Sequence, residues 1–189
     1  MADLMGLPDV AALTGLASGA KGDVNVCFVP ALAGLGAPYW KDRALAALTG
    51  MSLATSRSDV ARAALEAIAL QICDVFGAME RDLGARLARL SVDGGATQND
   101  LLMQFQADLL GRPVQRLKIL ELSAFGAGVL AGAASGLLDE ARIEAMLDGA
   151  SEDIDPRLDP SARRAKIGVW NAAVNSVIGG AKSSQPTSG

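Results

Sequence analysis

Histidine is absent from the 189-residue chain. That removes Ser-His-Asp and Cys-His triads, most zinc sites and every imidazole base. Chemistry must then rest on carboxylates, backbone amides, lysine, serine or threonine. Cysteine is scarce: Cys27 and Cys73 are the two present, which excludes a disulfide-rich secreted module. Both lie in apolar runs (Val26-Cys27-Phe28 and Ile72-Cys73), which predicts buried, reduced thiols in a cytoplasmic protein. An excess of positive charge is missing too. Seventeen basic against twenty-one acidic residues leave a net charge of −4, with no electrostatic footprint for nucleic acid. No charged segment followed by an apolar core opens the chain, which predicts a protein that is not secreted. What is abundant is apolar: 50% of residues are hydrophobic and 20% charged, a balance incompatible with intrinsic disorder.

At roughly 150 residues per domain the length predicts one domain. We assign it to residues 1–180, with 181–189 a Ser/Gly/Pro tail expected to be mobile. The run Ile119 to Leu138 imitates a membrane span, with Glu121 its one charge and Gly128, Gly132 and Gly136 at four-residue spacing. Its many glycines, Ser123 and Ser135, and the lack of aromatic or basic anchors favour a fully buried helix pressed against a sheet, and no membrane partner.

Periodicity predicts a short helix at Val10 to Leu16 and a strand at Val24 to Pro30, with Val24, Val26 and Phe28 on one side. Ala31 to Trp40 carries Gly34, Gly36 and Pro38 and ends in Tyr39-Trp40, so it reads as a long aromatic loop, functional or a lid. A second strand is expected within Ala44 to Met51. The clearest helix runs from Ser58, its expected cap, to Arg81, with Val60, Ala64, Leu65, Ile68, Ile72, Val75, Phe76 and Met79 as a core stripe. Leu87 to Val92 reads as a strand, and a helix bearing Leu101, Leu102, Phe105, Leu109 and Leu110 follows, closed by Gly111 and Pro113. Val114 to Leu117 is a strand candidate. Helices from Ser123 and over Asp139 to Leu147 come next, then a loop from Ser151 to Pro160 and a last helix from Ser161 to Ile178. Alternating strands and helices give an α/β class, strands covered by helices.

Between the strand ending at Val92 and the helix after it lies Asp93-Gly94-Gly95-Ala96-Thr97-Gln98-Asn99. Glycine lets backbone amides approach a ligand, and a helix N-terminus offers free donors and partial positive charge, so the arrangement suits a phosphate or nucleotide. It is neither a Walker loop nor the Gly-x-Gly-x-x-Gly fingerprint. Asn99 is placed to cap the helix or to meet a base or sugar, and Asp93 is equally a turn former.

Four segments in order resemble the FGGY family of carbohydrate kinases, most of all its glycerol kinase branch. They are Phe28-Val29-Pro30-Ala31-Leu32 through Ala37-Pro38-Tyr39-Trp40, Arg62 to Gln71, Ser91-Val92-Asp93-Gly94-Gly95-Ala96 through Pro113-Val114, and Glu121-Leu122-Ser123-Ala124-Phe125-Gly126-Ala127. The resemblance covers about Val24 to Leu138. It implies a partial ribonuclease-H-like fold of the actin/hexokinase ATPase type, as the C-terminal domain of a two-domain kinase without its opening strands. It also implies transfer of the γ-phosphoryl of ATP, with Mg2+, to a polyol or sugar hydroxyl. Gly94, Gly95, Ala96 and Asn99 then become the nucleotide-binding residues, for ATP or ADP, while Ser123 caps its helix. The family's catalytic aspartate, substrate residues and Asp-Gly-Thr-type phosphate motifs lie upstream of the matched segments. No residue here receives a catalytic or metal-binding role, and this polypeptide alone is expected to lack turnover.

Two departures stand out: Lys41 follows Trp40 where the family has Asp, and Leu45-Ala46 replaces Arg-Gly. They leave xylulose-type and other polyol kinases open. A rival class stays open as well, a non-catalytic nucleotide-sensing or self-association module derived from such a kinase. An uncovered sheet edge and bare apolar helix faces predict a homo-oligomer.

Overall fold

The computed structural model describes residues 1–21, 25–119, 121–147 and 149–183. Within the stretch expected as one domain there are two compact units, Met1–Arg86 with Leu158–Gly189, and Leu87–Arg157.

The first unit is built on two strands, β1 (Cys27–Val29) and β2 (Ala47–Thr49), paired antiparallel with Phe28 opposite Leu48. Both fall inside the expected stretches but are shorter, and Val24 lies outside the described residues. Cys27 and Val29 are buried while Phe28 is half-buried. Burial does not follow one side of the strand alone, since Val26 just before it is buried as well. Gly50 closes β2 at φ +72, and a Cβ there would stand 1.9 Å from the Asn25 carbonyl oxygen, so no side chain fits.

Helix α1 (Val10–Ser18) is capped by Asp9, whose carboxylate accepts from Ala12 N at 2.8 Å. Helix α2 (Arg57–Leu83) packs against α1 on one side and β1 on another. Its cap is Ser56, not Ser58. Ser56 Oγ accepts from Asp59 N at 3.3 Å and Asp59 Oδ2 accepts from Ser56 N at 2.9 Å, a reciprocal box that Ser58 cannot form. The two-sided packing also changes the expected stripe. Ala64, Leu65 and Phe76 are buried, but so are Ala61, Ala63, Ala67 and Ala69, while Ile68, Val75 and Met79 are exposed. Alanines let α2 approach its neighbours closely on both flanks. The last helix of the chain packs on β1 and buries Trp170, Ala173 and Val174; it runs Pro160–Ser183, three residues into the expected tail, and 184–189 lie outside the described residues.

The second unit is a three-stranded sheet of order β3-β4-β5. Strand β3 (Leu90–Val92) pairs parallel with β4 (Val114–Leu117), joined by helix α3 (Asp100–Leu110), and β5 (Ser151–Ile154) returns antiparallel to β4. The parallel pair with its crossover helix is the α/β unit the alternation predicts. Helix α3 buries Leu102, Phe105 and Leu109 as expected, and Gly111 ends it in the left-handed conformation. Strand β5 occupies a segment read as loop. Its acidic, polar composition gives no apolar alternation, and the ladder with β4 holds it instead.

Helix α4 (Leu122–Ala134) corrects another expectation. None of its residues is buried, and Leu130 is 73% exposed. Apolar composition makes burial favourable, but burial needs an opposing surface, which the described residues do not give it. Its N-cap is Glu121 rather than Ser123 and makes no side-chain capping bond. Helix α5 (Glu140–Leu147) follows, with Asp139 accepting from Arg142 N at 2.9 Å, and the Pro160–Ser183 helix is α6. Among the described residues no helix is long and apolar enough to cross a membrane.

Candidate functional site

The turn after β3 is held by its own backbone together with a few side-chain bonds. Gly94 takes φ +88, and Gly95–Gln98 form one turn of 3-10 helix. Thr97 closes the bend: its hydroxyl donates to the Gly94 carbonyl at 2.7 Å and its amide to the same oxygen at 3.1 Å. Thr97 is buried, whereas Gly95 and Ala96 are exposed and Gly94 half-buried. A Cβ built on Gly94 or Gly95 meets no heavy atom within 4 Å, so the bend is open rather than plugged.

Asn99 ends the turn and begins α3. Its Oδ1 accepts from Leu102 N at 3.1 Å, which satisfies one first-turn donor of the helix. Gly94, Gly95, Ala96 and Asn99 therefore lie together on one continuous bend at the positive end of α3, where nearby backbone N–H groups favour negative charge. Asp93 is exposed at the mouth of the bend.

Sequence reading passed over the group beneath this bend. Arg116 on β4 donates from Nη1 to the Thr97 carbonyl at 2.9 Å and to Asp100 Oδ1 at 2.6 Å. Its Nε donates to Glu152 Oε1 at 2.6 Å, and Nη2 reaches the same oxygen. Asp100 and Glu152 hold the guanidinium pKa above its ordinary value. The one signal that could have found Arg116 is its place opposite Glu152 in the β4–β5 register, and that register needs the strand hidden in 151–154.

In the first unit the aromatic loop is ordered by specific bonds. Leu35 and Lys41 exchange backbone hydrogen bonds at 2.8 Å, so Lys41 closes the loop through its main chain. Tyr39 donates to Asp74 Oδ2 at 2.9 Å, and Trp170 Nε1 donates to the same oxygen at 2.7 Å. Around them is a cavity of about 310 Å³ whose walls include Pro38, Cys73, Asp74, Arg81 and Trp170. Burial raises the Asp74 carboxyl above its ordinary pKa, with both donated bonds pulling it partly back. Burial pushes the Cys27 thiol up to about 11, so it stays protonated; Cys73 is half-buried, less enclosed than expected.

A raised acid pKa in the fold means the folded state holds that proton more tightly than the unfolded chain does. Asp74's contribution to stability therefore falls as pH rises from about 3.8 through its raised value. Asp74→Asn keeps an acceptor oxygen and removes the buried charge. Its melting temperature at pH 7 is expected to stay within about 2 °C of the parent, with the acid-side slope flattened. Asp74→Ala orphans two donors and is expected to lose about 2 kcal/mol. Thermal melts from pH 4 to 7 check both, and an Asn variant as damaged as the Ala variant would contradict the assignment.

A model for the C-terminal domain of the FGGY family of carbohydrate kinases matches residues 4–135. Among curated relatives, glycerol kinase of Dechloromonas aromatica is 50% identical over 160 residues, 84% of this chain and 32% of that protein. Apulose kinase of Pectobacterium atrosepticum is 47% identical over 171 residues, 90% of this chain and 34% of that protein. The chain thus spans about a third of the length of the curated relatives it matches. Among solved structures, Plasmodium falciparum glycerol kinase with ADP superposes with a TM-score of 0.84 at 30% identity, covering 93% of this chain and 35% of that one. That similarity places the α/β arrangement in the actin/hexokinase ATPase fold.

Proposed function

The chain belongs to the FGGY family of carbohydrate kinases, as a glycerol kinase-like C-terminal domain, and from that premise we propose that it supplies the nucleotide side of an ATP-dependent kinase. The complete reaction moves the γ-phosphoryl of ATP to a polyol or sugar hydroxyl. This chain's share is to hold the adenosine end of ATP or ADP on Gly94, Gly95, Ala96 and Asn99. The observation that carries the reading is the open bend: two glycines with empty space where side chains would stand, at the start of α3. Mg2+ enters as the companion of ATP, neutralising phosphate charge; among the described residues no group of three His, Cys, Asp or Glu side chains could hold it.

No Asp-x-Gly-Thr motif occurs in these 189 residues, so the polypeptide alone binds nucleotide without turning it over. We place it in the cytoplasm. The uncovered apolar residues of α4, such as Leu130, support self-association.

A ligand that binds only the folded state must raise its melting temperature, by an amount equivalent to about 2.7 kcal/mol at one hundred times Kd. ADP titrated into the chain is expected to give such a shift. Gly94→Val, strained at φ +88 and filling the bend, is expected to weaken ADP binding by at least about tenfold. Wild-type melting that is indifferent to millimolar ADP would sink the reading.

A further inference from the structure

We infer that Arg116 is the positioning residue of the nucleotide bend, an inference that rests on the site proposed above. The sequence of contacts is short. Arg116 Nη1 holds the Thr97 carbonyl at 2.9 Å, and the Thr97 hydroxyl holds the Gly94 carbonyl at 2.7 Å. One guanidinium on the central strand thereby fixes the far end of the 3-10 turn and, through Thr97, the glycine that opens it. The same Nη1 binds Asp100 in the first turn of α3 at 2.6 Å, tying the helix N-terminus to the sheet. Glu152 on β5 takes Nε and Nη2, so the rest of the fork is spent on orienting the arginine itself.

This geometry separates positioning from direct ligand binding. Donors from Nε, Nη1 and Nη2 are engaged by protein oxygens, and two carboxylates neutralise the charge. Arg116 is therefore built to hold the bend rather than to meet a phosphate. Lysine cannot replace it, because an ammonium is a point donor without the planar fork needed to serve three elements at once. The carbonyl, the carboxylate of α3 and the carboxylate of β5 are met from three directions by one rigid group.

The test measures ADP affinity by calorimetry well below the melting transition, beside the melting temperature without ligand. Arg116→Lys is expected to weaken ADP binding about tenfold, since a charge-assisted bond to the turn is lost. Lys118→Gln is the control: Lys118 lies two residues further along the chain, just past the end of β4, and donates to the Gly149 carbonyl at 3.2 Å. It removes a cation without touching the bend and is expected to bind ADP as the parent does. Should Arg116→Lys fold poorly, Glu152→Gln loosens the fork more gently and is expected to cost about threefold in affinity. A purely structural role would lower the melting temperature of these variants and leave their ADP affinity unchanged in the folded protein. That result overturns the inference, and so does a loss as large in Lys118→Gln. If the parent chain binds no ADP, the site itself fails; if it binds and only Gly94→Val loses binding, the site stands and the role of Arg116 does not.

Discussion

Trp170→Ala is expected to lower the melting temperature by roughly 8–16 °C, the equivalent of about 4 kcal/mol in a chain of this length. Trp170 is 1% exposed and sits on the face of α6 that also carries the buried Ala173 and Val174. Two losses add. The first is volume: truncating a buried tryptophan leaves a cavity that helices anchored at several points cannot collapse to fill. The second is polar: the indole N–H donates to Asp74 at 2.7 Å, and without it the half-buried carboxylate keeps only the Tyr39 hydroxyl among these two donors. Trp170→Phe keeps most of the volume and removes only the donor, so it is expected to lose about 1–2 kcal/mol. Denaturation of the two variants side by side separates the effects. Equal losses would mean that packing contributes little, contrary to the burial of the ring.

The sequence shows most where local rules suffice. Gly84 and Gly111 end α2 and α3 in the left-handed conformation, and the end of α3 was readable from its glycine. Strand β4 coincides with the stretch Val114 to Leu117 expected from the sequence. The bend at Gly94 to Asn99 was equally legible, because two adjacent glycines disfavour continuing either the strand or the helix and so mark a turn between them. What escaped depends on partners distant in sequence. Strand β5 is acidic and polar, and only its register with β4 makes it a strand. Arg116 draws its meaning from Glu152 across that register and from Thr97 nineteen residues back. Helix α4 shows the opposite error: composition announced burial, but composition cannot say whether an opposing surface is there. The cap of α2 was misplaced by two residues because Ser56 and Ser58 satisfy the same preference, and only the reciprocal bond from Asp59 selects Ser56.

Glu66 and Lys166, one hundred residues apart, carry the second large effect. Lys166 Nζ on α6 donates to both Glu66 carboxylate oxygens on α2, at 2.7 and 2.8 Å, with side chains only 15% and 10% exposed. Arg62 adds a bond from Nε to Oε1 at 2.8 Å, from a more open position at 31% exposure. The surroundings are apolar, with Val26, Cys27, Ala63, Leu70 and Val169 lining a small void beside the pair. Removing one member of such a pair strands a charge in a poorly solvated place. Lys166→Met keeps the length of the side chain but leaves Glu66 with Arg62 alone, and it is expected to destabilise by about 3 kcal/mol. That is the lower end of the usual range, since Arg62 partly compensates. Adding Glu66→Leu removes the stranded carboxylate and is expected to restore most of the loss, because burying apolar groups in place of an ion pair is close to neutral. The coupling energy from the double-mutant cycle is the quantity to read. If the double variant is no more stable than Lys166→Met, the damage comes from disturbed packing of α6 on α2, and the pair is not what joins them.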